Sequence, residues 1–130
     1  FACTVHANSA RDALNALVNA AMMAGANVAE PVVRKVFSTT IDVVVHLDRD
    51  AVPPEGSSGL RRQVMEILAV VPAMGDDFTT EPLFVRSSRG EPLQWTGAVP
   101  PATTTHMLAR SLPGDLNLRD ILEGRRLPPI

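Results

Sequence analysis

The chain has 130 residues, of which 45% are hydrophobic and 20% charged, the make-up of one folded domain and not of a disordered polymer. A formal net charge of -2 offers no basic field for nucleic acid, and 4% aromatics with no tyrosine leave the core to Ala, Val, Leu, Ile and Met. The single cysteine, Cys3, excludes an internal disulfide and fits a reducing, cytoplasmic setting.

The chain opens on an apolar run, Phe1 to His6, which reads as a strand. Asn8 and Ser9 follow, both good N-caps, and Asp12 stands three residues after Ser9 as in a capping box. This is a strand–turn–helix signature, and in open α/β sheets ligands sit beyond the strand's C-terminal end. Ala13, Leu14, Leu17, Val18, Ala21 and Met22 recur at helical spacing, so a helix is expected from about Ser9 to Ala24, with Gly25 as its cap. Pro31 marks a second helix start, and Val32, Val33, Val36 and Phe37 carry its apolar stripe to about Thr40.

From Ile41 the period changes to two. Ile41, Val43, Val45 and Leu47 alternate with Asp42, Val44, His46 and Asp48, the pattern of a strand with one face more buried than the other. Asp50 to Gly59, rich in proline and glycine, is a loop into a second strand over Leu60 to Val71, giving a long hairpin. A turn at Pro72 to Asp77 leads to a strand over Phe78 to Ser87, where Pro82 demands an edge or a bulge. Arg89-Gly90-Glu91-Pro92 turns into a short last strand, Leu93 to Thr96. Helical character returns at Thr103 to Leu112 and Leu116 to Glu123, and Arg125 to Ile130 reads as a tail or an interdomain contact. The expected fold is therefore α+β, antiparallel strands with flanking helices. The longest apolar segments are broken by Asn15, Asn19 and Asp42 and are too short to span a bilayer.

Few residues invite chemistry. His6, at a strand end just before a helix start, is placed to reach an anion or relay a proton, although an isolated histidine is more often structural. Cys3 and His6 have the spacing of half a zinc clamp with no second half, so no metal site is expected. Asp48, Asp50 and Glu55 lack calcium-loop spacing and read as solvated turn charges. There is no nucleophile elbow and no GxxxxGK[ST] phosphate loop.

The wording of the opening says more than its composition. Thr4-Val5-His6-Ala7-Asn8-Ser9-Ala10-Arg11-Asp12-Ala13-Leu14 resembles the histidine box of bacterial secretion and pilus ATPases, a RecA-like family, and is most similar to the CpaF/TadA branch serving tight-adherence (Flp) pilus assembly and type II/IV secretion. The likeness continues through Met22-Met23-Ala24-Gly25, through Val33-Arg34-Lys35-Val36 into Thr40-Ile41-Asp42-Val43-Val44-Val45, and through Arg61-Arg62-Gln63-Val64-Met65-Glu66-Ile67. It covers residues 1–71 well and the remainder loosely.

The resemblance implies the C-terminal part of a RecA-like α/β P-loop ATPase domain over residues 1–99, with a helical extension and tail over 100–130. It implies that the P-loop, aspartate box and Walker B strand lie upstream, so this chain alone is expected to be inactive. His6 would then assist catalysis near the nucleotide's terminal phosphates, and Thr4, Asn8 and Ser9 would line the same side. ATP and Mg²⁺ would be cofactors of the longer protein, with none expected for the fragment. The same likeness implies a homo-hexameric ring, inner-membrane platform proteins as partners, no nucleic acid, and a cytoplasmic place peripheral to the membrane through those partners. Arg34, Arg61 or Arg62 could reach a neighbouring subunit's phosphate or pair with Glu66 or Asp42. A strand stripped of its sheet neighbours is expected to make the fragment dimerise, swap segments or hide Phe1 to Val5 in another way. Two further readings stand beside this one: an interaction module that has lost its nucleotide site, and an unrelated α+β binding domain in which His6 is structural.

Overall fold

A computed structural model describes residues 1–25, 27–49, 55–56, 61–72 and 77–124. Within these, helices α1 (Ala10–Met23) and α2 (Glu30–Thr40) precede strands β1 (Val43–Arg49), β2 (Arg62–Val71), β3 (Thr79–Val85) and β4 (Gln94–Trp95), and short helices α3 (Ala102–Arg110) and α4 (Leu118–Leu122) follow. The four strands form one antiparallel sheet in sequence order. The fold is α+β with flanking helices, as the patterning requires.

Each helix begins where local chemistry allows. Ser9 is the N-cap of α1, and its hydroxyl accepts the Asp12 amide at 3.0 Å. Gly25, at φ +78°, turns the chain out of the helix in a region that costs glycine little. Pro31 stands in the first turn of α2, where its missing N–H is not needed. In α4 Asn117 and Asp120 exchange the two bonds of a capping box. Arg119 in the same helix is hydrogen-bonded to Glu123 at 2.7 Å, and this bond raises its pKa.

The main core lies between α1, α2 and the sheet, where Leu14, Val18, Val33, Val70 and Phe78 are buried together. Val44, Phe37, Ile41 and Met22 pack against it. In β2 Leu68, Ala69 and Val70 are all buried in succession. Alternate residues of a strand point to opposite faces, so the middle of this strand is covered on both sides. Leu68 and Val70 face the helices, and Ala69 faces away. On that second face Ala98, Val99 and Pro101 line a small recess together with Val71 and Glu81. The second face near β1 is different. Val43, Val45 and Leu47 are exposed there, and the inward position of the strand falls to Val44.

Two register shifts shape the sheet. The β1–β2 pairing skips Met65, and the β2–β3 pairing skips Leu83, next to Pro82. Pro82 thus sits beside a bulge, where its lack of an N–H does least harm. The loop at Asp50 to Gly59, the turn at Pro72 to Asp77 and the tail at Arg125 to Ile130 fall largely outside the described residues.

The first element differs from its expectation. Phe1 to His6 forms no strand: it is irregular, and all six residues are exposed. Its apolar side chains (Phe1, Ala2, Cys3, Val5) do not alternate with polar ones, and the core face of α1 is already filled by β2 and α2, leaving no buried sheet position for the run to enter.

Candidate functional site

The opening residues nevertheless define a place. Phe1 to Ala7 form one wall of a cleft of about 830 Å³, with the first turns of α1 (Ala10, Ala13, Leu14, Leu17) as a second wall and Thr40 to Leu47 as a third. Five consecutive residues of β1, Val43 to Leu47, line it. Neighbouring strand residues project to opposite faces, so a cavity touching all five runs along the strand's outer edge. Among the described residues β2 is the only strand that pairs with β1, so no strand occupies this edge, although Arg89 donates to the Arg49 carbonyl at the strand's end.

Of the residues singled out from the sequence, Thr4, His6 and Ser9 line the cleft. Asn8 is exposed and lies outside the lining. The cleft also gathers Cys3, Asp42, His46 and Arg62, which lie far apart in the sequence. His46 comes from the middle of β1 and Arg62 from the start of β2, and the hairpin register brings both beside the N-terminal segment. Among the described residues no group of three His, Cys, Asp or Glu side chains is arranged to hold a metal ion.

The start of α1 is where an anion would be drawn, and two of its first-turn donors are engaged within the chain. The Ala10 amide donates to Oε1 of Glu66 at 2.8 Å across 56 residues of sequence, and the Asp12 amide donates to Ser9. Glu66 thus places a carboxylate at the positive end of the helix. A phosphate at the same point would have to displace it. These residues alone do not fit a Mg²⁺–nucleotide: two of the helix donors are taken, and among the described residues no acidic cluster stands by. What the cleft offers is two imidazoles and a guanidinium in a groove that also carries Thr4, Ser9, Thr40 and the carboxylate of Asp42.

The arginines divide. Arg34 donates to Glu30 at 2.9 and 3.0 Å, to Oδ1 of Asn15 at 3.0 Å and to Asp77 at 3.4 Å, and it lies over the Phe78 ring at 5.7 Å. Arg11 joins it through Asp77 and Thr80, both at 3.2 Å. This network ties α1, α2 and the start of β3 together, and Asp77 and Glu30, rather than Glu66 or Asp42, are the carboxylates that Arg34 meets. Asp48 likewise meets Arg89 at 2.7 Å. The sequence held no cue to Glu66, because a helix-capping carboxylate supplied by a distant strand leaves no local spacing to read.

Set against known protein families, characterised proteins and solved structures, the chain matches none of them. No described helix is long and apolar enough to cross a membrane.

Proposed function

We propose that this chain is the C-terminal part of a secretion or tight-adherence pilus-assembly ATPase of RecA-like fold, contributing the histidine box to a hexameric motor that hydrolyses ATP. The observation that carries the reading is the run Thr4 to Leu14, in which a histidine precedes a capped helix in the wording of that box. Two features of the fold support it. Thr4, His6 and Ser9 lie on one cleft, and the order of helices and hairpin after them follows the order of the resembling stretches. The open edge of β1 is what a sheet looks like when it is part of a wider one.

In this reading His6 touches the nucleotide from the side, while phosphate cradling and Mg²⁺ binding fall to groups upstream. Phosphoryl transfer depends on positioned charge around the metal and the phosphates, and the residues present here cannot assemble that alone. The motor would work at the cytoplasmic face of the inner membrane through platform proteins. The test is turnover. The 130-residue chain with ATP and Mg²⁺ should hydrolyse nothing above background, whereas a protein extended through its upstream reading frame should turn over. An extended protein that has no phosphate loop and binds no nucleotide refutes the reading and favours an interaction module.

A further inference from the structure

The β1–β2 hairpin ends in a concentration of positive charge. Arg49, Arg61, Arg62, Arg86 and Arg89 gather there, five of the twelve cationic side chains in a protein whose formal net charge is -2. Arg86 and Arg89 are anchored within the chain. Arg89 donates to Asp48 at 2.7 Å and to the Arg49 carbonyl at 2.6 Å, and Arg86 donates to the carbonyls of Val64, at 2.9 Å, and Glu91. Arg49 and Arg62 are placed differently. They are direct partners in the antiparallel ladder, so their side chains leave one face of the sheet from Cβ atoms about 4.5–5.5 Å apart. Both are exposed, and among the described residues neither guanidinium has a hydrogen bond or an ion pair. Asp48, next to Arg49, projects to the opposite face and is held by Arg89. Like charges directly opposite in a ladder repel and work against the hairpin. One anion that reaches both forks turns that repulsion into attraction.

We propose that Arg49 and Arg62 form a clamp for a phosphate group, supplied as free phosphate or as a phosphomonoester headgroup at a lipid surface. Charge and shape select phosphate. A carboxylate brings one charge and two oxygens in a plane, which one guanidinium fork already satisfies. A phosphate monoester brings a charge of about -1.5 to -2 and three acceptor oxygens spread around phosphorus, so two guanidiniums meet it from different sides. Arg61 and Arg89 flank the pair and add to the local field without having to touch the ligand. Arg62 also borders the cleft, which places the clamp at the cleft's end beyond Leu47. The inference does not rest on the ATPase reading, because the pair and its register belong to the hairpin alone.

The experiment titrates the whole chain with inorganic phosphate at constant ionic strength, following the arginine Nε–H signals by NMR, beside flotation with phosphatidylcholine vesicles with and without phosphatidate. Saturating shifts of the Arg49 and Arg62 signals assign free phosphate as a ligand, and retention only on vesicles that contain phosphatidate assigns the headgroup. Arg49→Gln and Arg62→Gln should each weaken the response about tenfold, and Arg110→Gln should leave it unchanged. Melting temperatures separate a clamp from two solvated side chains. In chloride alone Arg62→Gln should melt no lower than wild type, because the repulsion is gone, and phosphate should raise the midpoint of wild type but not of the variant. No response to either probe, an equal response to succinate, or phosphate binding that Arg62→Gln leaves intact overturns the proposal.

Discussion

Removing the Glu66 carboxylate tests whether the helix before the cleft is held by a distant strand. The Ala10 residue is 1% exposed, so its amide has no water to turn to when Glu66 is truncated to alanine. A hydrogen bond to a charged acceptor contributes about 1.5–3 kcal/mol, and a carboxylate at a helix N-terminus about 0.3–1 kcal/mol. Glu66 is only half-buried, which discounts both, and the expected cost of Glu66→Ala is about 2 kcal/mol. For a chain of this length that lowers the melting temperature by about 6–10 °C. Glu66→Gln keeps an acceptor but not the charge and should lose about half as much. Urea and thermal denaturation followed by circular dichroism measure the stability, and hydrogen exchange at the Ala10 amide locates the change. Equal midpoints for wild type and Glu66→Ala, with unchanged protection at Ala10, would refute the reasoning.

The remaining expectations concern packing and charge. Val18 is fully buried between α1, α2 and β2, and Val18→Ala should cost about 2–3 kcal/mol by loss of two methyl groups and the cavity they leave, read from the urea midpoint. Arg34→Met keeps the stem but loses the fork to Glu30, Asn15 and Asp77. Because both carboxylates are largely exposed, the cost should be only about 1 kcal/mol, and 1 M salt should remove less than half of it, since the bond to Asn15 and the ring of Phe78 are insensitive to screening.

Most of the secondary structure was legible because its signals are local. Ser9 with Asp12, Pro31, Gly25 and the alternation from Ile41 each act within a few residues, and each element begins or ends within about two residues of where they place it. Pro82 signalled an edge or a bulge for the same reason, and the structure places it beside a bulge. The opening run failed because a short apolar stretch has no period of its own. Whether it becomes a strand depends on a neighbouring strand, which no local pattern supplies. Sidedness was misread: the alternation put Ile41, Val43, Val45 and Leu47 on the more apolar face, but the packing of α1 and α2 takes Val44 in and leaves Val43, Val45 and Leu47 exposed. The cleft was half legible. Thr4, His6 and Ser9 were named from the opening stretch, but Asp42, His46 and Arg62 join them through the register of the β1–β2 hairpin, and Glu66 reaches Ala10 over a separation that no spacing rule covers.

The central claim, that His6 belongs to a nucleotide site completed by chain upstream, is tested most directly by one substitution in the longer protein. His6 is exposed, so His6→Ala should leave stability unchanged. Steady-state hydrolysis of ATP with Mg²⁺, measured on extended wild type and His6→Ala side by side, should show kcat reduced by about 10²–10³-fold with nucleotide affinity little changed. Equal turnover in the two proteins would contradict the account.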